Sequence, residues 1–292
     1  MDEFRNRLIH LHHCRGIGWK TIYQILKADP ELKSLYDYPS THNLPLLPPS
    51  AKKTFQEDLH SHFIHDQIRQ YSYNDIHVMT FFDKDYPELL KEIYQPPWVL
   101  YGKGNIHLLN RHLKLAAVGS RNATDYGRNA IEVIFPKLIE RGVLLVSGLA
   151  AGIDTLVHKA AIKYGGETIG VIAGGLYHIY PESSKELAIY MMRKQLVLSE
   201  YPPNTKPSKW QFPMRNRIIS GMSRGTFIIE AKQRSGSLIT ANYAVQEGRE
   251  VFALPGNIFN PFSNGTNELI QQGAKLVQNY EDILEEFSYS LS

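Results

Sequence analysis

Between Lys206 and Arg217 the chain reads Lys-Pro-Ser-Lys-Trp-Gln-Phe-Pro-Met-Arg-Asn-Arg, so that Lys209, Arg215, Asn216 and Arg217 interleave with Trp210 and Phe212. Cationic side chains neutralise phosphates, and an aromatic face stacks on any base for ~1–3 kcal/mol. The combination points to single strands, because a duplex hides the base faces that Trp210 and Phe212 need. Three loops of small residues add a second chemistry: Gly119-Ser120-Arg121-Asn122-Ala123-Thr124, then Ser147 and Gly148 running on to Asp154, then Ala173-Gly174-Gly175. Glycine and serine permit close backbone approach, and helix-terminal amides favour anions, so Ser120, Ser147, Gly148, Gly174 and Gly175 are candidate phosphate contacts. Arg121 would grip a phosphate with two parallel hydrogen bonds. Lys232 and Arg234 follow, and Ser235 with Gly236 opens another helix whose amides face the same anion. A surface of that span fits a polymer better than a mononucleotide.

Other chemistries find little support. No Gly-Lys-Ser or Gly-Lys-Thr phosphate loop occurs, and Gly119-Ser-Arg-Asn-Ala-Thr is not the G-x-G-x-x-G dinucleotide signature. The one cysteine, Cys14, excludes an intramolecular disulfide and a multi-cysteine metal site. Asp154 and His158, one helical turn apart, lack a third metal ligand nearby, and Asp154 reads as a helix cap. His12 and His13 stand in no recognisable catalytic spacing, and Ser147 has no assignable base. The expectation is a binding protein without cofactor or metal.

The elements that must carry these residues change character near residue 75. Residues 1–74 read as a small helical domain in which Cys14-Arg15-Gly16-Ile17-Gly18 turns one helix into the next, like a helix-hairpin-helix. A polar, proline-rich stretch from Pro39 to Pro49 precedes another helix near Phe55 to Tyr71. Residues 75–287 alternate short apolar runs at 115–119, 143–147, 168–173, 196–199, 226–230 and 250–254 with helical segments at 126–141, 154–164, 183–194 and 238–247. Near-continuous apolar strands joined by helices predict an α/β, doubly wound, mostly parallel Rossmann-like sheet. Pro136 should kink its helix or end the helix's first half. The basic-aromatic stretch reads as a loop, and residues 288–292 as a tail.

Of the 292 residues, 43% are hydrophobic and 21% charged, which excludes wholesale disorder. An acidic amino terminus and the lack of a long apolar run predict a cytoplasmic protein with no membrane partner. Net charge is only +3, yet Lys and Arg outnumber Asp and Glu by 7 to 1 over residues 205–234 and fall behind by 2 to 7 over residues 235–292. The positive excess is thus confined to the stretch that carries the basic and aromatic side chains.

These motifs in this order resemble the DNA-processing protein A family (DprA, also called Smf). The likeness runs from about Phe82 to Leu284 through Asp85-Tyr86-Pro87, Gly119-Ser-Arg121, Ser147-Gly-Leu-Ala-Ala-Gly-Ile-Asp154 with His158, Phe212-Pro-Met-Arg-Asn-Arg217, Glu230-Ala-Lys-Gln-Arg-Ser-Gly-Ser237, Pro255-Gly256 and Gly273-Ala274. It implies an extended Rossmann fold, and a non-catalytic protein that binds and protects incoming single-stranded DNA in natural transformation and loads RecA recombinase onto it. It also implies a phosphate-gripping role for Arg121, phosphate and base contacts for Lys209 and Phe212, a homodimer through the Rossmann domain, and a SAM-like identity for residues 1–74. The chain departs from the family at Glu182 and Ser184, where a basic residue and Asn often stand, and no appended winged-helix domain is expected. The alternative is a phosphoribohydrolase-like nucleotide-processing enzyme on a similar fold, with Glu230 as the catalytic carboxylate.

Overall fold

A computed structural model describes residues 3–37 and 49–289. The expected proline-rich interruption therefore lies, up to residue 48, outside the described residues, as does the end of the expected tail. The first region holds α1 (Glu3–His13), α2 (Trp19–Ala28), α3 (Lys33–Asp37), α4 (Pro49–Leu59) and α5 (His62–Tyr73). The single helix expected near residues 55–71 is two. Ser61 separates them and starts α5 by accepting the Ile64 N–H on its hydroxyl at 3.4 Å.

Nine strands follow: β1 (Ile76–Thr80), β2 (Val99–Gly104), β3 (Lys114–Val118), β4 (Leu144–Gly148), β5 (Thr168–Ile172), β6 (Leu196–Ser199), β7 (Gly225–Ile228), β8 (Glu250–Ala253) and β9 (Lys275–Leu276). They form one sheet in the order β1-β2-β6-β5-β4-β3-β7-β8-β9. The six strands expected from sequence are β3 to β8, and each is parallel to its neighbours among them. β1 and β2 add an antiparallel edge on β6, and β9 a parallel one on β8. Alternate residues of β3 face opposite sides. Ala116 and Val118 point into the layer that holds Ile218 and Ala241, while Leu115 and Ala117 point into that of Phe135, Val157 and Phe287.

Covering the sheet are α6 (Glu88–Lys91), α7 (Asp125–Glu140), α8 (Ile153–Lys163), α9 (Lys185–Lys194), α10 (Gln211–Gly221), α11 (Gly236–Gln246), α12 (Asn264–Gln271) and α13 (Glu281–Tyr289). α7 runs through Pro136 to Glu140, so Pro136 does not end it. One expectation needs correction. The basic-aromatic stretch is a loop only as far as Trp210, after which Gln211 begins α10. Pro213 sits in its first turn, where a missing N–H leaves no intrahelical bond unmade.

The first region is not separate from the sheet. Leu8, Ile22 and Phe55 share one buried cluster with Tyr101 of β2, Val197 of β6 and Met191 of α9. Arg5 donates to the Val78 carbonyl at 2.6 Å and pairs with Asp83 at 3.0 Å, and the Trp19 ring N–H donates to the Pro96 carbonyl at 2.6 Å.

Candidate nucleic-acid interface

In this strand order the chain builds outward from β3 to β6 and then crosses to β7 on the other side of β3. Ligands bind such sheets beyond the carboxyl ends of the strands, where the order reverses. The loops after β3 and β7 meet there and are fixed to each other. Glu230 accepts the Thr124 N–H at 3.0 Å and the Thr124 hydroxyl as well. Beside them, the Ile153 N–H donates to the Ser120 carbonyl at 3.0 Å. Gly152 has φ +80°, and any side chain on it would meet the Ser120 and Arg121 carbonyls within 2.4 Å, so the tight turn into α8 depends on glycine.

A cleft of about 780 Å³ opens at this rim. Nine of the candidates line it: Ser120, Arg121, Lys209, Phe212, Arg215, Asn216, Lys232, Ser235 and Gly236. Arg121 is exposed, with its guanidinium carbon 5.9 Å from the centre of the half-buried Phe212 ring. Tyr180, 57% exposed, meets the same ring edge-on at 5.7 Å. A smaller recess of about 170 Å³, floored by Leu149, Ala150 and Ile172, opens between Arg121 and Phe212. Lys209 is exposed at the mouth of the cleft, and the Lys232 ammonium stands 4.4 Å from the Phe262 ring centre on the far wall. Asn216 ties α10 to α11 by donating to the Gly236 carbonyl at 3.3 Å, and the Ser235 and Ser237 hydroxyls bond at 2.8 Å.

Beneath this surface lies a buried ionic layer. Arg215 donates to the Val171 carbonyl at 2.7 Å and to the Asn216 side chain at 3.0 Å. Burial pushes the nearby Asp154 carboxyl up to about 6 against the opposing pull of Arg215 and of the Ala150 and Gly119 N–H groups. Asp154 therefore holds the loops after β3 and β4 and is not the cap of α8, whose N-cap is Gly152. Gly148 leaves room for both charges, since a β-carbon there would sit 2.1 Å from Arg215 Nη1 and 2.5 Å from Asp154 Oδ2. His158 is neutral, lowered to about 4 by burial. Its Nε2 is hydrogen-bonded with the Gly148 carbonyl and its Nδ1 with the Thr168 hydroxyl, both at 2.7 Å. Both ring nitrogens are thus engaged, and among the described residues no group of three His, Cys, Asp or Glu is placed to hold a metal.

Five candidates lie outside the cleft lining. The buried Ser147 hydroxyl donates to the Ala117 carbonyl at 2.6 Å. Gly148 backs the ionic layer. Gly174 packs on Pro207, and Gly175 donates its N–H to the Thr205 carbonyl at 2.8 Å. Arg217, buried one face round α10 from Arg215, pairs with buried Glu200 at 2.5 Å. These residues support the rim from within. Trp210 is 63% exposed against Tyr201 and is not in the cleft lining. His12 and His13, without partners in the sequence, bond to the hydroxyls of Tyr101 at 3.1 Å and Tyr71 at 2.8 Å. Reading along the chain missed Tyr180, Asp154 and Phe262 as cleft residues. Phe262 is 30 positions beyond Lys232 and only folding brings the two together.

Residues 77–288 match the family model described as DNA recombination-mediator protein A. The chain is 49% identical over 219 residues to DNA processing protein DprA of Bacillus subtilis (strain 168), covering 75% of this chain and 74% of that one. Against Protein Smf of Escherichia coli (strain K12) it is 43% identical over 216 residues, covering 74% and 58%. The X-ray structure of DNA processing protein A from Streptococcus pneumoniae superposes with a TM-score of 0.83 at 38% identity, over 96% of this chain and 97% of that one. DNA processing protein A of Helicobacter pylori, whose structure was determined for its unique single-stranded DNA binding mode, gives 0.66 at 28% identity, over 74% and 96%. No helix among the described residues is long and apolar enough to cross a membrane. With fold, motifs and matched length in agreement, this chain belongs to the DNA recombination-mediator protein A family.

Proposed function

We propose that the protein binds single-stranded DNA in the cleft at the carboxyl ends of the strands, as a non-catalytic recombination mediator of the cytoplasm. The observation that carries this reading is one cleft combining exposed Arg121, Lys209 and Lys232 with the accessible rings of Phe212 and Tyr180. Cations at the mouth take successive phosphates while the rings take bases, which is sequence-tolerant recognition of an unpaired strand. The single-stranded DNA binding named for the Helicobacter pylori structure supports the same ligand class. On this reading the bound strand is incoming DNA during natural transformation, protected by the protein and passed to RecA recombinase, with a homodimer through the Rossmann domain as the acting unit. Glu230, the carboxylate that an enzymatic reading would need, has both oxygens engaged by Thr124 and does not line the cleft.

Titration of fluorescent oligothymidylate at two salt concentrations tests the site. Arg121→Ala and Lys209→Ala should each weaken binding irrespective of sequence and flatten the salt dependence, since the slope of log K against log salt is about −0.7 per phosphate neutralised on a single strand. Unchanged affinity and slope in both variants would overturn the assignment. A bound RecA captured by the wild type on the same DNA, and not by DNA alone, tests the mediator step.

A further inference from the structure

The rim continues past the cleft into the loop after β8, of which the sequence motifs touched only Pro255-Gly256. This loop is tied to α12: the Gly256 N–H donates to the Asn267 side chain at 3.1 Å and the Asn267 amide donates back to the Gly256 carbonyl at 2.9 Å. Asn257 and Asn260 side chains then accept the N–H groups of Phe259 and Phe262 at 2.9 and 3.0 Å. The result is a built turn that presents Phe259 at 87% exposure and Ile258 at 75%. An aromatic ring held so far into solvent by a fixed backbone gains nothing from burial within the chain.

Its neighbours select an occupant. Phe262, three residues on, is part of the cleft wall, and its carbonyl accepts the Ala231 N–H at 2.8 Å, so the β7 and β8 loops form one surface. Lys232 and Arg234 stand exposed on that surface, neither in an ion pair with a carboxylate among the described residues, and residues 251–267 contain no acid. We propose that Phe259 is a further stacking platform for single-stranded DNA, taking a base of the strand after it leaves the cleft past Lys232 and Phe262. This rests on the reading of the cleft as the DNA site and lengthens its track to the outer part of the sheet. Rings at Phe212, Phe262 and Phe259 beside the cations of Lys232 and Arg234 supply both contacts that a polymer of phosphates and bases requires.

Affinity for a series of oligothymidylates of increasing length, measured by fluorescence anisotropy for the wild type, Phe259→Ala, Phe259→Trp and Arg121→Ala, tests it. Phe259→Ala should lower affinity about five-fold or more, the equivalent of at least ~1 kcal/mol per stacked base, with the loss confined to oligomers that reach beyond Phe262. Phe259→Trp should keep the wild-type length dependence, and its added fluorescence should be quenched only by those longer oligomers. If Phe259→Ala follows the wild-type curve at every length while Arg121→Ala weakens all of them, the extension is wrong and the cleft stands. If Phe259→Ala instead changes the sedimentation behaviour of the free protein, the loop is an interface between copies and the proposal is overturned. If Arg121→Ala changes nothing at any length, the cleft assignment itself fails and the extension with it.

Discussion

A carboxyl group buried beneath the proposed phosphate site is a residue with an adjustable charge. Asp154 titrates at about 6, raised by burial and held back by Arg215 and two loop N–H groups. Above that pH its negative charge offsets Arg215 and opposes an incoming phosphate; below it the carboxyl is neutral and the cationic field of Arg215 and Arg121 is unopposed. Affinity for oligothymidylate should therefore rise as pH falls from about 7.5 to 5.5, and Asp154→Asn should bind with less pH dependence across that window. Titrations at fixed ionic strength read this directly, and an equal pH response in wild type and variant would remove Asp154 from the account. The same neighbourhood shows why types alone misassign residues. Arg215 and Arg217 look equivalent in sequence, but two steps along α10 place one at the cleft and the other against Glu200.

At the scale of elements, that pair fastens α10 to the end of β6. Burial raises the Glu200 carboxyl, and Arg217 opposes the rise by charge and hydrogen bond. Removing one member of such a pair leaves the other charge buried alone, so Arg217→Ala should destabilise the fold by about 3–5 kcal/mol in denaturant unfolding. A variant that kept its stability but lost DNA affinity would place Arg217 on the strand instead. Elements were legible where one physical signal dominated. β3 to β8 are buried on both faces, so each stands out as an apolar run in the sequence. β1 and β2 lie at an antiparallel edge, where His77 is exposed and β2 ends in Gly102-Lys103-Gly104, and nothing local distinguishes them from loops. α10 was hidden by Trp210, Phe212 and Pro213, which read as a loop until the helix start places the proline where it is harmless.

For the whole molecule, the docking of the helical region on the sheet encloses titratable groups. Burial lowers His10 to about 4, His12 to about 3 and His13 to about 4, with charge from neighbouring histidines adding to the effect on His10 and His12. An unfolded chain takes up protons on these histidines near 6.5, whereas the folded one excludes them. The penalty is absent above about pH 6.5 and grows as pH falls toward 4, by up to ~1.4 kcal/mol per histidine per pH unit. Stability should therefore drop through that window, detectable in the near-ultraviolet signal of Trp19 stacked on Trp98 at 5.2 Å, and His12→Phe with His13→Phe should flatten the drop. Charge is also arranged on this scale. The acidic excess of the last segment is carried largely by α13, where Glu285 and Glu286 pair with Lys275 of β9, while Lys209, Arg215 and Lys232 of the basic segment line the cleft and Arg217 and Arg224 bond elsewhere. By itself the sequence determined the parallel sheet and the segregation of charge, because buried apolar runs and clustered cations are local in the chain. Only the tertiary structure decided which candidates face the cleft and which support it, and which distant residues complete the wall. Burial, ion pairing and the meeting of the β7 and β8 loops depend on residues that approach in space and not along the chain.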